Sequence, residues 1–266
     1  MKIEATDRIG MVWSGGGARG SYQMGMWKAM RELGIDKQVT VLTGTSIGAI
    51  NGLAFVQGAY DLSLKIWKNM DYDQVFDSMP KKANTSTAKV LFSLAKDFVR
   101  KRGISVDISR NRVKNIIDEQ AVRNAKIDFG LVVYNWTKRQ GEKLFVDEIP
   151  KGLLADYVNA SGNLPFFEKL EINGDKYVDG GLSEVVPLSL CFRRADKFDK
   201  LIVANINSFS YRPLHNRKSV AGKELHLFSP ISDLGSPIDF SPEAIQYGMQ
   251  LGYQETMEAL DVEVGV

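Results

Sequence analysis

Apolar residues in this chain fall into short blocks divided by glycine and polar turns, and the blocks alternate between two periods. Ile9–Trp13 (IGMVW) is an unbroken apolar run that stops at glycines and reads as a buried strand. Gly20–Leu33 follows with Met24, Trp27, Met30 and Leu33 at helical spacing, which predicts a helix with one inward face. Val39–Leu42 is a second short strand, and Ile47–Val56 is apolar almost all round, as expected of a helix enclosed on every side. Ile127–Tyr134, Lys143–Val146, Lys200–Ile206 and Leu225–Phe228 read as further strands. Within Lys169–Val178, Asn173-Gly174-Asp175 is a hairpin signal. Ser241-Pro242-Glu243 opens a terminal helix, with Ser as N-cap and Pro at the first helical position, running to about Leu260. Alternating strands and helices predict a mostly parallel sheet covered on both faces, a three-layer α/β/α arrangement.

Composition agrees with an ordinary globular chain: 266 residues, 44% hydrophobic and 25% charged, enough to bury a large core and too apolar for disorder. There is no repeat, low-complexity tract or Pro/Ser-rich linker, so residues 1–266 are expected to form one domain. One cysteine, Cys191, excludes an internal disulfide and reads as a small core residue. The start, MKIEATDRIG, has no apolar core of a secretory signal. The longest weakly charged stretch, Val39 to Tyr60, is too interrupted by glycines, Asn51 and Gln57 for a membrane span. A soluble or peripheral cytoplasmic protein is the expectation.

Charge changes that picture in one place. The net value of +2 hides a segment, Lys81–Lys126, with twelve Lys/Arg against four Asp/Glu, or +8, while the remainder carries −6. Within it Val90, Leu91, Leu94, Ala95 and Phe98 share one helical face and Lys89, Ser93, Lys96, Asp97 and Arg100 the other. Basic amphipathic helices lie on anionic membranes, and surface helices packed on a core have the same pattern. The segment is expected to be a lid or a membrane-facing insertion.

Two glycine motifs carry candidate chemistry. Gly15-Gly16-Gly17-Ala18-Arg19-Gly20 follows a strand and opens a helix. It fits G-x-G-x-x-G, but a dinucleotide site needs an acid at the end of the second strand, and the nearest, Asp36, precedes that strand. No Gly-Lys-Ser/Thr follows, so it is not a P-loop. What remains is a tight turn or a backbone that aims several N–H groups at one point beside a helix N-terminus, as an oxyanion hole does. Gly44-Thr45-Ser46-Ile47-Gly48 is G-x-S-x-G between a strand and a buried helix, the setting of a nucleophile elbow, with the Ile47 N–H as a further oxyanion donor. The plainer reading makes Ser46 a helix N-cap. A base for Ser46 is less obvious. His215 lies in a polar loop and His226 in a strand, and both read as structural or solvated. Asp179, in Asp179-Gly180-Gly181 after a short strand, reads either as a base or as a common Asp-Gly turn.

Gly15–Gly20, Gly44–Gly48 and Asp179-Gly180-Gly181, in that order, resemble the patatin-like phospholipase family. Asn159-Ala-Ser-Gly-Asn-Leu-Pro-Phe-Phe between them resembles the family's Ala-Ser-x-x-x-Pro-x-x-Phe block. Asn163 stands where a small residue is commoner, and Phe167 falls one place earlier than the usual aromatic. The resemblance runs from Ile9 to about Leu188. It implies a Ser46–Asp179 dyad without histidine, an oxyanion hole from Gly15, Gly16 and Gly17 with Arg19 fixing the loop, and Gly44, Gly48, Gly180 and Gly181 as supports. It also implies an acyl-serine intermediate, calcium-independent phospholipase A or lysophospholipase activity, a phospholipid or other acyl-ester lipid as substrate, and neither metal nor cofactor nor nucleic acid. A general lipase or thioesterase and a catalytically inactive lipid-binding module are the alternatives.

Overall fold

The structure is a computed structural model that describes residues 1–70, 75, 105–207 and 218–262. The amphipathic stretch around 89–100, His215 and residues 81–104 of the basic segment lie outside them.

Five strands form a parallel centre in the order β10–β8–β2–β3–β4: β2 (Ile9–Trp13), β3 (Val39–Thr45), β4 (Asp128–Asn135), β8 (Lys200–Ala204) and β10 (Lys223–Phe228). Antiparallel strands extend it: β9 (Ser219–Val220) on β10, β5 (Gln140–Phe145) and β7 (Asp175–Asp179) on β4, and β6 (Leu170–Ile172) on β7. A separate small pair joins β1 (Lys2–Ile3) to β11 (Asp261–Val262).

The unbroken apolar runs follow from burial on both faces. Every residue of β2 is buried. Met11, Trp13, Leu42, Leu131 and Ile202 pack into the larger core, whereas Val12, Val41, Val132, Leu201 and Val203 pack into a second one on the opposite face. The first core is roofed by α1 (Ser21–Glu32), α2 (Ile47–Val56), α3 (Tyr60–Lys68), α6 (Leu154–Ser161) and α8 (Pro242–Ala259). Two further helices, α4 (Asp107–Ile116) and α5 (Glu119–Asn124), precede β4. The second core is closed by the short helix α7 (Leu188–Phe192) and Phe198. The architecture is therefore three-layer α/β/α with a mixed sheet whose centre is parallel. Ser241 caps α8 by accepting from the Ala244 N–H at 3.4 Å, with Pro242 at the first position.

The register along β4 positions the site. β5 pairs with Gly130–Asn135 of β4, so its partners on the other edge are β3, at Asp128–Val132, and β7, at Val133–Asn135. β3 runs parallel to β4 and β7 antiparallel, so they approach along one edge from opposite directions. β3 ends with Thr45 opposite Val132, and β7 ends with Asp179 opposite Val133. The hairpin that delivers β7 turns at Asn173 (φ 51°) and Gly174 (φ 84°), the paired positive φ of a type I′ turn. A slip of one residue there would send Asp179 to the opposite face of the sheet.

Candidate active site

The chain reverses at Ser46, with φ 57° and ψ −126°, and α2 begins at the next residue. A side chain in that region costs about 1–3 kcal/mol and persists only where surrounding contacts enforce it. Here the Ser46 N–H donates to Ser161 Oγ at 2.9 Å, and the Ser161 hydroxyl donates to the Val132 carbonyl at 2.7 Å. The Ser46 carbonyl accepts from the Ala49 and Ile50 N–H groups. Ser46 occupies the N-cap position, but its side chain makes no capping hydrogen bond, so the hydroxyl is not spent on the helix.

The turn also needs backbones closer than a side chain allows. A Cβ on Gly48 would sit 2.3 Å from the Trp13 carbonyl oxygen, and one on Gly44 2.3 Å from the Gly48 carbonyl oxygen. Gly48→Ala is therefore expected to destabilise by about 3 kcal/mol or more, since rigid strand backbone cannot yield. Thermal denaturation measures it, and an unchanged melting temperature would contradict this packing.

Asp179 is 4% exposed. Its N–H donates to the Asn163 carbonyl at 2.7 Å, and its Oδ1 accepts from the Gly181 N–H at 2.7 Å. Oδ2 is buried and has no hydrogen bond among the described residues. Burial pushes the carboxyl from 3.8 up to about 6, against the opposing pull of the neighbouring Ser46 hydroxyl and the Gly181 N–H. Ser46 and Asp179 are thus adjacent, but the hydroxyl stops short of a formed hydrogen bond to Oδ2. Such catalytic contacts commonly tighten only when substrate is bound. Gly180 lies against the Val132 carbonyl, where a Cβ would meet oxygen at 2.1 Å.

The glycine loop runs beside the elbow. A Cβ on Gly15 would meet Ser46 Cβ at 3.1 Å, which sets the spacing between the loop and Ser46. The Gly15 N–H donates to the Val185 carbonyl and is spent there. The N–H groups of Gly16, Gly17 and Ile47 have no acceptor among the described residues. Gly17 has φ 59°, and the Pro237 carbonyl lies where its Cβ would be, at 2.0 Å. Arg19 points away from Ser46: Nε donates to the Gly235 carbonyl and a terminal nitrogen to Asn207 Oδ1, both at 2.8 Å. Asn207 Nδ2 then donates to the Gly15 carbonyl at 2.7 Å, so the arginine braces the loop from behind.

Ser46 and Asp179 open onto a cavity of about 420 Å³, within the range of small-molecule sites. Ile50, Ala54, Ile66, Trp67, Val113 and Phe240 contribute apolar wall, with Arg110 and Arg112 also on its lining. His226 sits on β10, three strand spacings from β3, roughly 14 Å away. Its ring contacts Phe228, and burial lowers its pKa. Cys191 is fully buried in the second core, where desolvation pushes its thiol up to about 12.

Several supporting residues escape the sequence reading. Gln23 Nε2 donates to the Ser14 carbonyl, Asn51 Nδ2 to the Gly20 carbonyl and Gln23 Oε1, and Trp67 Nε1 to Asn51 Oδ1. This buried chain ties the cavity wall to the base of the glycine loop. Its one visible sign is Asn51, a lone amide in a helix otherwise apolar all round. Ser161 carries no sign beyond its place in the Asn159–Phe167 block, Asn163 shows only as a departure from the family's small residue, and Asn207 carries no sign at all.

A family model described as patatin-like phospholipase matches residues 11–192. Over 51 residues the chain is 47% identical to Lysophospholipase nte1 of Aspergillus terreus, a stretch covering 19% of this chain and 3% of the fungal protein. VipD from Legionella pneumophila is similar with a TM-score of 0.55 at 19% identity, over 96% of this chain and 67% of that one. Human GIVD cytosolic phospholipase A2, solved with methyl gamma-linolenyl fluorophosphonate, is similar with a TM-score of 0.53 at 12% identity, over 94% of this chain and 57% of that one. The chain thus spans a small part of the fungal relative and little more than half of the human one. At these identities the solved structures speak for the fold alone.

Proposed function

This chain belongs to the patatin-like phospholipase family, and from that premise we propose that it is a serine hydrolase of lipid acyl esters acting through Ser46 and Asp179. The observation that carries the reading is the end-to-end meeting of β3 and β7 on one edge of β4, which sets a strained, uncapped serine beside a buried carboxylate. Ser46 Oγ attacks the ester carbonyl while Asp179 Oδ2 accepts the hydroxyl proton. Gly16, Gly17 and Ile47 N–H groups receive the oxyanion, and Gly15 serves as spacer against the serine. Collapse breaks the ester bond, the leaving alcohol takes the proton from Asp179, and an acyl-serine remains. Water, deprotonated by the same carboxylate, attacks the acyl carbonyl, the acyl–Oγ bond breaks, and Asp179 returns the proton to Ser46 Oγ as the fatty acid leaves.

An ordinary aspartate is a weak acceptor from an alcohol. Burial supports the reading here, because a carboxyl raised to about 6 is a stronger base yet still ionised at neutral pH. The apolar cavity suits the acyl chain, and phospholipase A or lysophospholipase activity is the preferred assignment. Charge stabilisation comes from backbone amides, so the scheme calls on no metal or cofactor. Peripheral contact with anionic membrane through residues 81–126 belongs to the same proposal.

A fluorophosphonate probe with a lipid-like chain is expected to label Ser46, located by mass spectrometry, and to leave Ser46→Ala unlabelled. Tight vesicle binding with no labelling of Ser46 would instead mark a lipid-binding module.

A further inference from the structure

Asn163, the departure from the family's small residue, is 1% exposed and makes five polar contacts, the first from its N–H to the Ala160 carbonyl at 3.1 Å. Its carbonyl accepts the Asp179 N–H at 2.7 Å. Its Nδ2 donates to the Tyr177 carbonyl at 3.3 Å and the Glu168 carbonyl at 3.1 Å. Its Oδ1 accepts from an Arg110 terminal nitrogen at 2.8 Å. Asn163 is thus stitched to β7 at Tyr177 and Asp179, and the arginine is the only donor to its side-chain oxygen among the described residues.

That arginine comes from α4, in the basic insertion. Its side chain is 15% exposed and also donates to the Glu168 carbonyl and to Asp107. Its Nε is buried with no acceptor among the described residues, a desolvation cost that hydrogen-bond economy at Arg110 itself does not explain. An amide has one acceptor side and one donor side, and only its neighbours decide which way it points. With Arg110 present, Oδ1 must face the guanidinium, and the donor side must face the two carbonyls. Without it, Oδ1 becomes a buried acceptor with no donor, and the side chain loses one of the three bonds that fix it against the Tyr177 carbonyl, while the main-chain bond from the Asp179 N–H stays in place.

We infer that Arg110 is a positioning residue that acts through Asn163 to hold Asp179 at the distance from Ser46 that proton transfer requires. The inference rests on the dyad reading above. It also links the cavity wall to the base, because Val113 of the same helix lines the cavity.

Misplacing a catalytic group by about 1 Å costs on the order of a hundredfold. Arg110→Ala is therefore expected to slow fluorophosphonate labelling of Ser46, and kcat on a soluble short-chain ester, by about ten- to a hundredfold, with KM within about twofold. Arg110→Lys keeps one donor and is expected to recover most of that loss. It also keeps the test valid if the alanine variant folds poorly, which circular dichroism would reveal. Asp156→Ala removes the Lys114–Asp156 pair between the same helix and α6 without touching Asn163, and is expected to label at the wild-type rate. Wild-type labelling rates in Arg110→Ala, a lysine variant no better than alanine, or an equal loss in Asp156→Ala would each overturn the inference alone. A wild-type protein that never labels at Ser46 would overturn the hydrolase reading, and this inference with it.

Discussion

Asp179→Asn is expected to abolish turnover and, at the same time, to make the protein more stable above neutral pH. The carboxyl titrates near 3.8 in the unfolded chain and at about 6 in the folded one. Between those values the folded state holds the proton more tightly, so stability falls as pH rises through the interval and the full cost is present above it. A difference of that size corresponds to about 3 kcal/mol. The amide carries no charge to desolvate. It keeps the acceptor for the Gly181 N–H but buries an NH₂ where Oδ2 now lies unpartnered, which returns roughly 1–2 kcal/mol. The net gain is about 1–2 kcal/mol near pH 8, a rise of several degrees in melting temperature for a chain of this size. Near pH 4 the native aspartic acid is mostly protonated, and the gain is expected to disappear. Thermal denaturation of both proteins at the two pH values measures it, and a variant less stable at pH 8 would contradict a desolvated carboxylate. The same titration predicts that wild-type kcat/KM falls as pH drops through about 6, because the protonated acid cannot accept the serine proton.

The second large effect belongs to Ser46. Ser46→Ala is expected to lower kcat/KM by about 10⁴-fold or more, leaving the smaller residual rate that oxyanion donors and binding supply by themselves. Ser46→Gly should be equally inactive, but the two variants are expected to differ in stability. Alanine keeps a Cβ at φ 57°, whereas glycine adopts that backbone freely. The glycine variant should exceed the alanine variant by about 1 kcal/mol in unfolding free energy. Equal melting temperatures would mean that the elbow stores no strain. This pair of variants separates what the serine does chemically from what the turn costs to hold.

Four strands of the parallel centre, β2, β3, β4 and β8, were legible because each is a largely apolar run enclosed on both faces. The hairpin at Asn173-Gly174 and the Ser241 cap of α8 were legible because each depends on a few adjacent residues. Helices α3 and α6 were not. In α3 the buried positions are Tyr60, Ser63 and Trp67, so a serine interrupts the inward stripe. In α6 the buried Asn159 and Ser161 break it in the same way, because that face turns toward polar contacts of the site rather than toward the core. Which N–H groups of the glycine loop lack an acceptor among the described residues was hidden for a related reason. Three adjacent glycines look alike in sequence, and only the Val185 carbonyl distinguishes Gly15, whose N–H is engaged, from Gly16 and Gly17.

By itself the sequence determined what short-range sterics control: where the chain turns sharply, where backbones must touch, and that Ser46 stands at a strand-to-helix turn. Those properties depend on glycine, on apolar period and on neighbours a few residues away. Asp179 was named as the partner of Ser46 by the family resemblance and not by local pattern, and the tertiary structure is what brings the two side by side. Asp179 lies far along the chain in an Asp-Gly-Gly segment that would pass for an ordinary turn. It arrives through β7 pairing with β4 one residue beyond the point where β3 stops. Its raised basicity comes from the burial that this pairing enforces. Strand register and desolvation are set by everything packed around them, and no local run of residues encodes either.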